Sequence, residues 1–363
     1  MKKLLALLML ALVFVTGCQN DDSGDPAVLT AKEASAKIVS AGEDAAADIV
    51  SIVDSEGVTA LTAFAELFSD FDQFSARTAD KSWVKAKFEI ISNYFVYGPA
   101  GRVNNDEFSF DEIKGVHTWN FDIEAFERTG DSEFFIVNFP SEGSTTNNAE
   151  LKITDLQFIT ITTSDEWGTY EDDYPTVIEG TLKVDGETFI SLSASADWSS
   201  EGFPEKASID LVVTPFTFLL DFDDSDNLTS KASASVTKSG ETLVGVSVLL
   251  TFENTEKEEP TDIEGHVQYG NIKLKGSVDI AGYDANEYDE NDEPNPNFDA
   301  NDYVDLEVLI DDVKVGDIIF IDDVAYIEYN DGTKEILEEI LEDVIADIEE
   351  AFEELDGEDE TDF

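Results

Sequence analysis

Beyond residue 83, apolar positions recur every second residue along most of the chain. That is the spacing of strands that bury one face and wet the other. Val116-His117-Thr118-Trp119-Asn120-Phe121 and Phe134-Phe135-Ile136-Val137 read as strands joined around Gly130-Asp131. Leu182 to Val184 and Phe189 to Ala196 flank Asp185-Gly186, a strong hairpin signal. In the second of these, Ile190, Leu192, Ala194 and Ala196 face one way, and Ser191, Ser193 and Ser195 face the other. Ile209, Leu211 and Val213 hold odd positions, whereas beyond Pro215 the apolar set is Phe216, Phe218, Leu220 and Phe222. The change of parity predicts a bulge or strand break at Thr214-Pro215. Ala232, Ala234 and Val236 turn at Ser239-Gly240 into Val244, Val246, Val248, Leu250 and Phe252. Ile272, Leu274, Val278 and Ile280 follow, then Val304, Leu306, Val308 and Ile310, and a last strand from Val324 to Tyr329 that stops at Asn330-Asp331-Gly332.

A 3.6-residue period marks the two ends. Thr30 with Glu33 forms a capping box ahead of Ile38, Ala45, Ile49, Ile52 and Val53, which share one helical face. Ser55-Glu56-Gly57 breaks that helix, and Val58, Leu61, Phe64, Leu67, Phe68, Phe71 and Phe74 mark a second. Thr333 is placed to cap a closing helix striped by Ile336, Leu337, Ile340, Leu341, Val344, Ile345, Ile348 and Phe352, with Gly357 at its end. The expected class is α+β: N-terminal helices, a long curved antiparallel meander of half-barrel type, and a C-terminal amphipathic helix. A β-sandwich is the alternative. Residues 30–357 read as a single domain and 358–363 as an acidic tail. The polar stretch from Tyr283 to Asp302, with Pro294 and Pro296, reads as a long surface loop.

Charge narrows the function classes. Asp and Glu total 82 against 21 Lys and Arg, a net charge of -61. Such a chain repels phosphate backbones, which excludes nucleic acid as a partner, and it disfavours anionic headgroups. One Cys and two His leave no disulfide framework and no Cys- or His-rich metal site. No nucleophile elbow or phosphate-cradling glycine run is present. His117, inside a strand, and His266, at a strand start after Gly265, read as structural, so no enzyme is expected. Trp83, Trp119, Trp167 and Trp198 are candidates for a sugar-stacking platform, set against ordinary packing. The loop at 284–302 supplies many oxygens, but the best calcium-loop alignment from Asp289 puts Pro294 where Gly is required and Ala300 where a bidentate Glu belongs. A weak divalent-cation site there is set against a solvated loop, and no cofactor is expected. Phe216, Phe218, Leu220, Phe222, Val246, Val248 and Leu250 are candidate liners of an apolar ligand cavity, with a filled core as the plain alternative. Like charges on the closing helix, such as Glu335/Glu339, lead us to expect stability to rise with added salt.

The sharpest signal is an address. Lys2 and Lys3 precede an apolar stretch from Leu4 to Val15, too short for a bilayer, which takes about 20 residues. Residues 1–17 therefore read as a signal peptide. Val15-Thr16-Gly17-Cys18 matches the bacterial lipobox, which assigns Cys18, the only cysteine, as the lipidation site. Residues 18–29 form an acidic tether, in which Gln19, Asn20, Asp21 and Asp22 resemble the surface-export signal of Bacteroidetes lipoproteins. Gly115-Val116-His117-Thr118-Trp119-Asn120, Asn138-Phe139-Pro140-Ser141 with Asn147-Asn148-Ala149, and the closing Asn330-Asp331-Gly332-Thr333 extend that resemblance to uncharacterised lipoproteins of this group. The resemblance implies a membrane partner through a lipid anchor on the outer membrane, exposed at the cell surface. No catalytic residue comes with it. The expected function is a non-enzymatic lipoprotein that binds an apolar ligand or serves as an envelope component. The alternative is a surface glycan-binding or glycan-hydrolysing protein of a nutrient-uptake system.

Overall fold

A computed structural model describes residues 29–53, 55, 57–60, 110–165, 168–288, 293–322 and 324–340. Cys18, Gln19, Asn20, Asp21, Asp22, Trp83, Trp167, the aromatic stripe beyond Ala60 and the closing stripe beyond Ile340 lie outside them.

Helix α1 spans Ala31–Val53. At its start the Thr30 N–H donates to Glu33 Oε2 at 2.9 Å and the Glu33 N–H donates to Thr30 Oγ1 at 3.4 Å, so the capping box satisfies donors that the first turn leaves open. The helix ends before Ser55, whose hydroxyl accepts from the Val58 N–H at 3.3 Å and opens a helical stretch at 57–60. A single turn, α2 (Phe110–Ile113), leads into the strands.

The strands are β1 (Gly115–Asn120), β2 (Ala125–Gly130), β3 (Phe135–Phe139), β4 (Ala149–Asp165), β5 (Gly168–Val184), β6 (Glu187–Trp198), β7 (Pro204–Val213) and β8 (Phe216–Asp223). They continue as β9 (Thr229–Lys238), β10 (Glu241–Phe252), β11 (Pro260–Tyr269), β12 (Ile272–Asp279), β13 (Val304–Ile310), β14 (Val313–Ile321), β15 (Val324–Tyr329) and β16 (Lys334–Ile336). From β16 down to β3 each strand neighbours the next in sequence, then come β1 and β2. The class is α+β, dominated by antiparallel sheet. Asp185-Gly186 and Ser239-Gly240 hold positive φ at both residues and close the β5–β6 and β9–β10 hairpins. The strand break expected at Thr214-Pro215 is a two-residue turn with a cis peptide bond.

Four expectations need correction. The segment after β1 is not a plain connection: a turn through Phe121 to Glu124 (φ 49) makes β2, and β1 then pairs with β3 in parallel, Gly115 opposite Phe135. The Ala125–Gly130 strand buries two successive residues, Ala125 and Phe126, so it lacks the alternation that reveals a strand. Ile280 does not extend β12 but opens helix α3 (Ile280–Glu287), capped by Asp279, whose Oδ1 accepts from the Gly282 N–H at 2.7 Å. The presumed surface loop thus begins as a helix, and Tyr283, Phe298 and Tyr303 pack together within it, centroids 4.8 and 5.7 Å apart. Thr333 caps no helix, because its carbonyl accepts from the Tyr329 N–H at 2.8 Å and the chain continues into β16. Ile336 and Glu335 therefore lie on a strand, no Glu335/Glu339 helical pair forms, and helical backbone begins at 337. His266 sits in mid-strand on β11, opposite Ser247 and Lys275, rather than at a strand start.

The chain clusters into two compact units: an inserted unit, Val53–Leu220, and a terminal unit, Met1–Ile52 with Asp221–Phe363. In the terminal unit Ala34 and Ile38 of α1 pack with Ile310, Ile318, Ile327 and Tyr329 of β13–β15, all nearly inaccessible to water. At the far end of α1, Ser51 Oγ accepts from Lys238 Nζ at 3.4 Å, a cation where the helix dipole favours one. Gly276 (φ 154) holds β12 where any side chain would collide with the Asp305 carbonyl, a close approach only glycine permits. In the inserted unit Phe126, Phe135, Phe139, Ile113 and Val137 form a buried cluster.

Candidate functional site

The inserted unit carries an apolar sheet face whose cover runs out along the strands. Register places Leu182, Ile190 and Val213 in one cross-strand row, Gly180, Leu192 and Leu211 in the next, and Ile178, Ala194 and Ile209 in a third. Along β7 the exposure climbs from 7% at Val213, through half-buried Leu211, to 37% at Ile209. On the neighbouring β8 it climbs from 1% at Phe216, through half-buried Phe218, to 42% at Leu220. On the β5 side Leu182 and Ile178 stay buried at 2% and 6%. The covered end is tight, since a side chain at Gly57 would stand 3.0 Å from Val213 Cγ1 and 3.2 Å from Ile190 Cγ1. The face thus offers an apolar surface closed at one end and open at the other.

The other candidate liners belong to the terminal unit. Val246, Val248 and Leu250 of β10 stand opposite Ala234, Ala232 and Ser230 on β9 and opposite Val267, Gly265 and Ile263 on β11. All three are half-buried, as is Phe222. The seven residues singled out from the sequence therefore fall into two sets, Phe216, Phe218 and Leu220 in one unit and Phe222, Val246, Val248 and Leu250 in the other.

In the terminal unit one lysine ties two connections together. Lys257 (φ 52) donates from Nζ to Asp224 Oδ1 at 2.6 Å, to the carbonyls of Asp224 and Thr229 at 3.0 Å each, and to Ser230 Oγ at 3.3 Å. The Ser230 hydroxyl also donates to Asp224. One ammonium thus pins the β8–β9 and β10–β11 connections. Burial works to raise the Asp224 carboxyl, but the hydrogen bonds and charge of Lys257, with Ser230, hold it below the ordinary range. Lys37 of α1 reaches Asp311 Oδ2 at 2.9 Å, while Asn271 donates to Asp311 Oδ1 at 2.6 Å. Glu307 is held low by hydrogen bonds from Lys314 and Lys275. These pairs let an acidic chain neutralise carboxylates where strands crowd them.

His117 is 3% exposed, with Nε2 3.3 Å from the Ile113 carbonyl and its ring 5.5 Å from Phe135. Burial lowers its pKa, as it does for His266, where Lys273 adds to the effect. Trp119 packs edge-on against Phe126 at 5.1 Å. Trp198 lies against Tyr174 at 4.9 Å in the inserted unit. In the 284–302 segment Asp299 caps a 3-10 turn at Ala300–Asp302, and Asn301 clasps the Phe320 backbone, accepting at 2.7 Å and donating at 2.9 Å. Among the described residues no group of three or more His, Cys, Asp or Glu could hold a metal ion. Among the same residues no helix is long and apolar enough to cross a membrane.

The graded face and the Lys257 clasp escaped the sequence reading. Alternation marked Ile209, Leu211 and Val213 as one face but carried nothing about where its cover ends. Lys257 had only one local signal, the polar run Asn254-Thr255-Glu256-Lys257, which reads as any turn. Comparison of the chain with protein-family models, with curated proteins and with solved structures returns no match.

Proposed function

We propose that the protein is a non-enzymatic lipoprotein of the outer membrane that takes an acyl chain or similar neutral apolar ligand on the open face of its inserted unit. The observation that supports this is the gradient from Val213 and Phe216 to Ile209 and Leu220. Exposed apolar area costs roughly 25 cal/mol per Å² in water, so a ligand covering it gains that free energy. The net charge of -61 argues against an anionic headgroup. Anchoring through Cys18 and outward export through Gln19, Asn20, Asp21 and Asp22 belong to the same proposal and rest on the sequence.

Native mass spectrometry of the protein purified without organic extraction tests the ligand, together with enhancement of N-phenylnaphthylamine fluorescence. A co-purifying lipid, or dye binding lost in Ile209→Asp and Leu220→Asp, is the expected result. No lipid and no dye binding would overturn it. Protease shaving of intact cells tests the address: removal of the protein while periplasmic controls survive is expected, and protection equal to those controls would exclude surface exposure.

A further inference from the structure

The β8–β9 connection closes around a cation that the chain itself supplies. Lys257 Nζ, arriving from the β10–β11 connection, stands 2.6 Å from Asp224 Oδ1, 3.0 Å from the carbonyl oxygens of Asp224 and Thr229, and 3.3 Å from Ser230 Oγ. The lysine side chain is only 16% exposed. An ammonium carries three N–H donors, so four converging oxygens are more than it can serve one to one. They surround the charge rather than match its hydrogens. The Phe252 ring, 5.8 Å from the nitrogen, adds a weak attraction for positive charge.

The oxygens are also held by bonds that do not involve the lysine. Asp223 Oδ1 accepts from the Ser225 N–H at 3.0 Å, and Asp226 Oδ1 accepts from the N–H groups of Leu228 and Thr229 at 2.9 and 3.0 Å. The Phe252 N–H donates to the Leu228 carbonyl at 2.9 Å, and the Ser230 hydroxyl donates to Asp224. A carboxylate, two carbonyls and a hydroxyl are the hard oxygen donors that bind dissolved cations. Their spacing of 2.6 to 3.3 Å from the nitrogen suits an ammonium. Calcium takes six to eight oxygens at about 2.3–2.6 Å, more than gather here and closer than most of these stand.

We propose that residues 224 to 230 form a cation-binding loop for ions of the ammonium type, and that its resident ion is the chain's own Lys257 Nζ. The two connections are thereby pinned without drawing on dissolved cations, in a chain whose net charge of -61 attracts them. Because the oxygens have other ties, shortening the lysine leaves a site that a free ammonium ion enters. Thermal melts of the full chain at one ionic strength, in sodium, ammonium, n-propylammonium and tetramethylammonium chloride, test this. Lys257→Met keeps the stem and lacks the nitrogen, so ammonium completes it. Lys257→Ala lacks the stem as well, so n-propylammonium completes it. Both variants should melt below the parent in sodium chloride, and the matching ion should raise each by about 2–4 °C. Tetramethylammonium, a charge without N–H donors, should raise neither, and the parent should melt alike in all four salts. Slower amide exchange at Leu228 to Lys231 with the matching ion should place the effect at the loop. Either variant carries the test if the other fails to fold. Equal melting of both variants in all four salts overturns the proposal, as does a rise that the parent shares, which is general screening. A larger rise with calcium chloride than with the matching ion also overturns it, since the loop would then be a divalent site.

Discussion

Val213 and Phe216 flank the Thr214-Pro215 turn and are almost sealed from water, at 7% and 1% exposure, whereas Ile209 and Leu220 on the same two strands are open at 37% and 42%. All four sit in runs with the same alternation, so the pattern that names a face is silent about how far that face is covered. Cover comes from elsewhere in the chain: Gly57 stands against Val213 and Ile190. The lesson is that binary patterning reports the neighbour above or below a residue only as apolar or wet, on average over the element. A terminus of the face left open is therefore the kind of feature that a ligand uses and a pattern hides.

The contrast can be broken by mutation. Phe216→Ala should cost about 3–5 kcal/mol of stability by urea denaturation, the range for large-to-small change in a filled core. Leu220→Ala on the same strand should cost under about 1 kcal/mol. Equal losses would show that the two ends are packed alike. Next in size is Lys257→Met, which leaves the Asp224 carboxylate and two carbonyls without their donor and should cost about 1–3 kcal/mol. Gly276→Ala should cost about 1–3 kcal/mol through backbone strain and collision with Asp305, against about 1 kcal/mol for Gly240→Ala, which meets open space. A smaller effect than at Gly240 would mean that β12 does not approach the Asp305 carbonyl so closely.

The smallest effect is on pH dependence. Burial lowers the folded-state pKa of His117 from 6.5. Above 6.5 its contribution is complete. As pH falls below 6.5 the unfolded chain takes up a proton that the folded one refuses, so stability declines until the folded pKa is reached. Asp224 is depressed from 3.8, so its contribution is present above 3.8 and is lost as pH falls through the folded value. Urea midpoints followed downward from neutrality should therefore drop in two windows, and His117→Phe should lessen the upper drop to the share that His266 contributes, leaving the lower one unchanged. An unchanged profile in that variant would mean that His117 titrates freely.

Much of the architecture was legible from local signals. The Thr30/Glu33 cap, the Asp185-Gly186 and Ser239-Gly240 hairpins, the break before Phe216, and the alternation through β6, β10 and β13 each depend on neighbours within a few residues. The misses have separate causes. β2 escaped because Ala125 and Phe126 are buried in succession, and α3 and the Tyr283/Phe298/Tyr303 cluster were masked by polar residues that outnumber the aromatics. The candidate liners named from the sequence fall into two units, a division that was not readable because the boundary lies at Leu220 within β8.

Sequence alone determined which residues turn, which cap and which side of each strand is apolar, because those outcomes are set by φ preferences, short-range hydrogen bonds and a period of two. Tertiary structure alone decided that Ile209 and Leu220 stay open, that Lys257 in the β10–β11 connection gathers four acceptors from residues 224 to 230, and that a loop tied by Ser199 presents Phe203 to water. Each of these depends on contacts between residues distant in sequence or on where the covering chain stops. Burial is a property of the assembled surroundings, and no local pattern contains it.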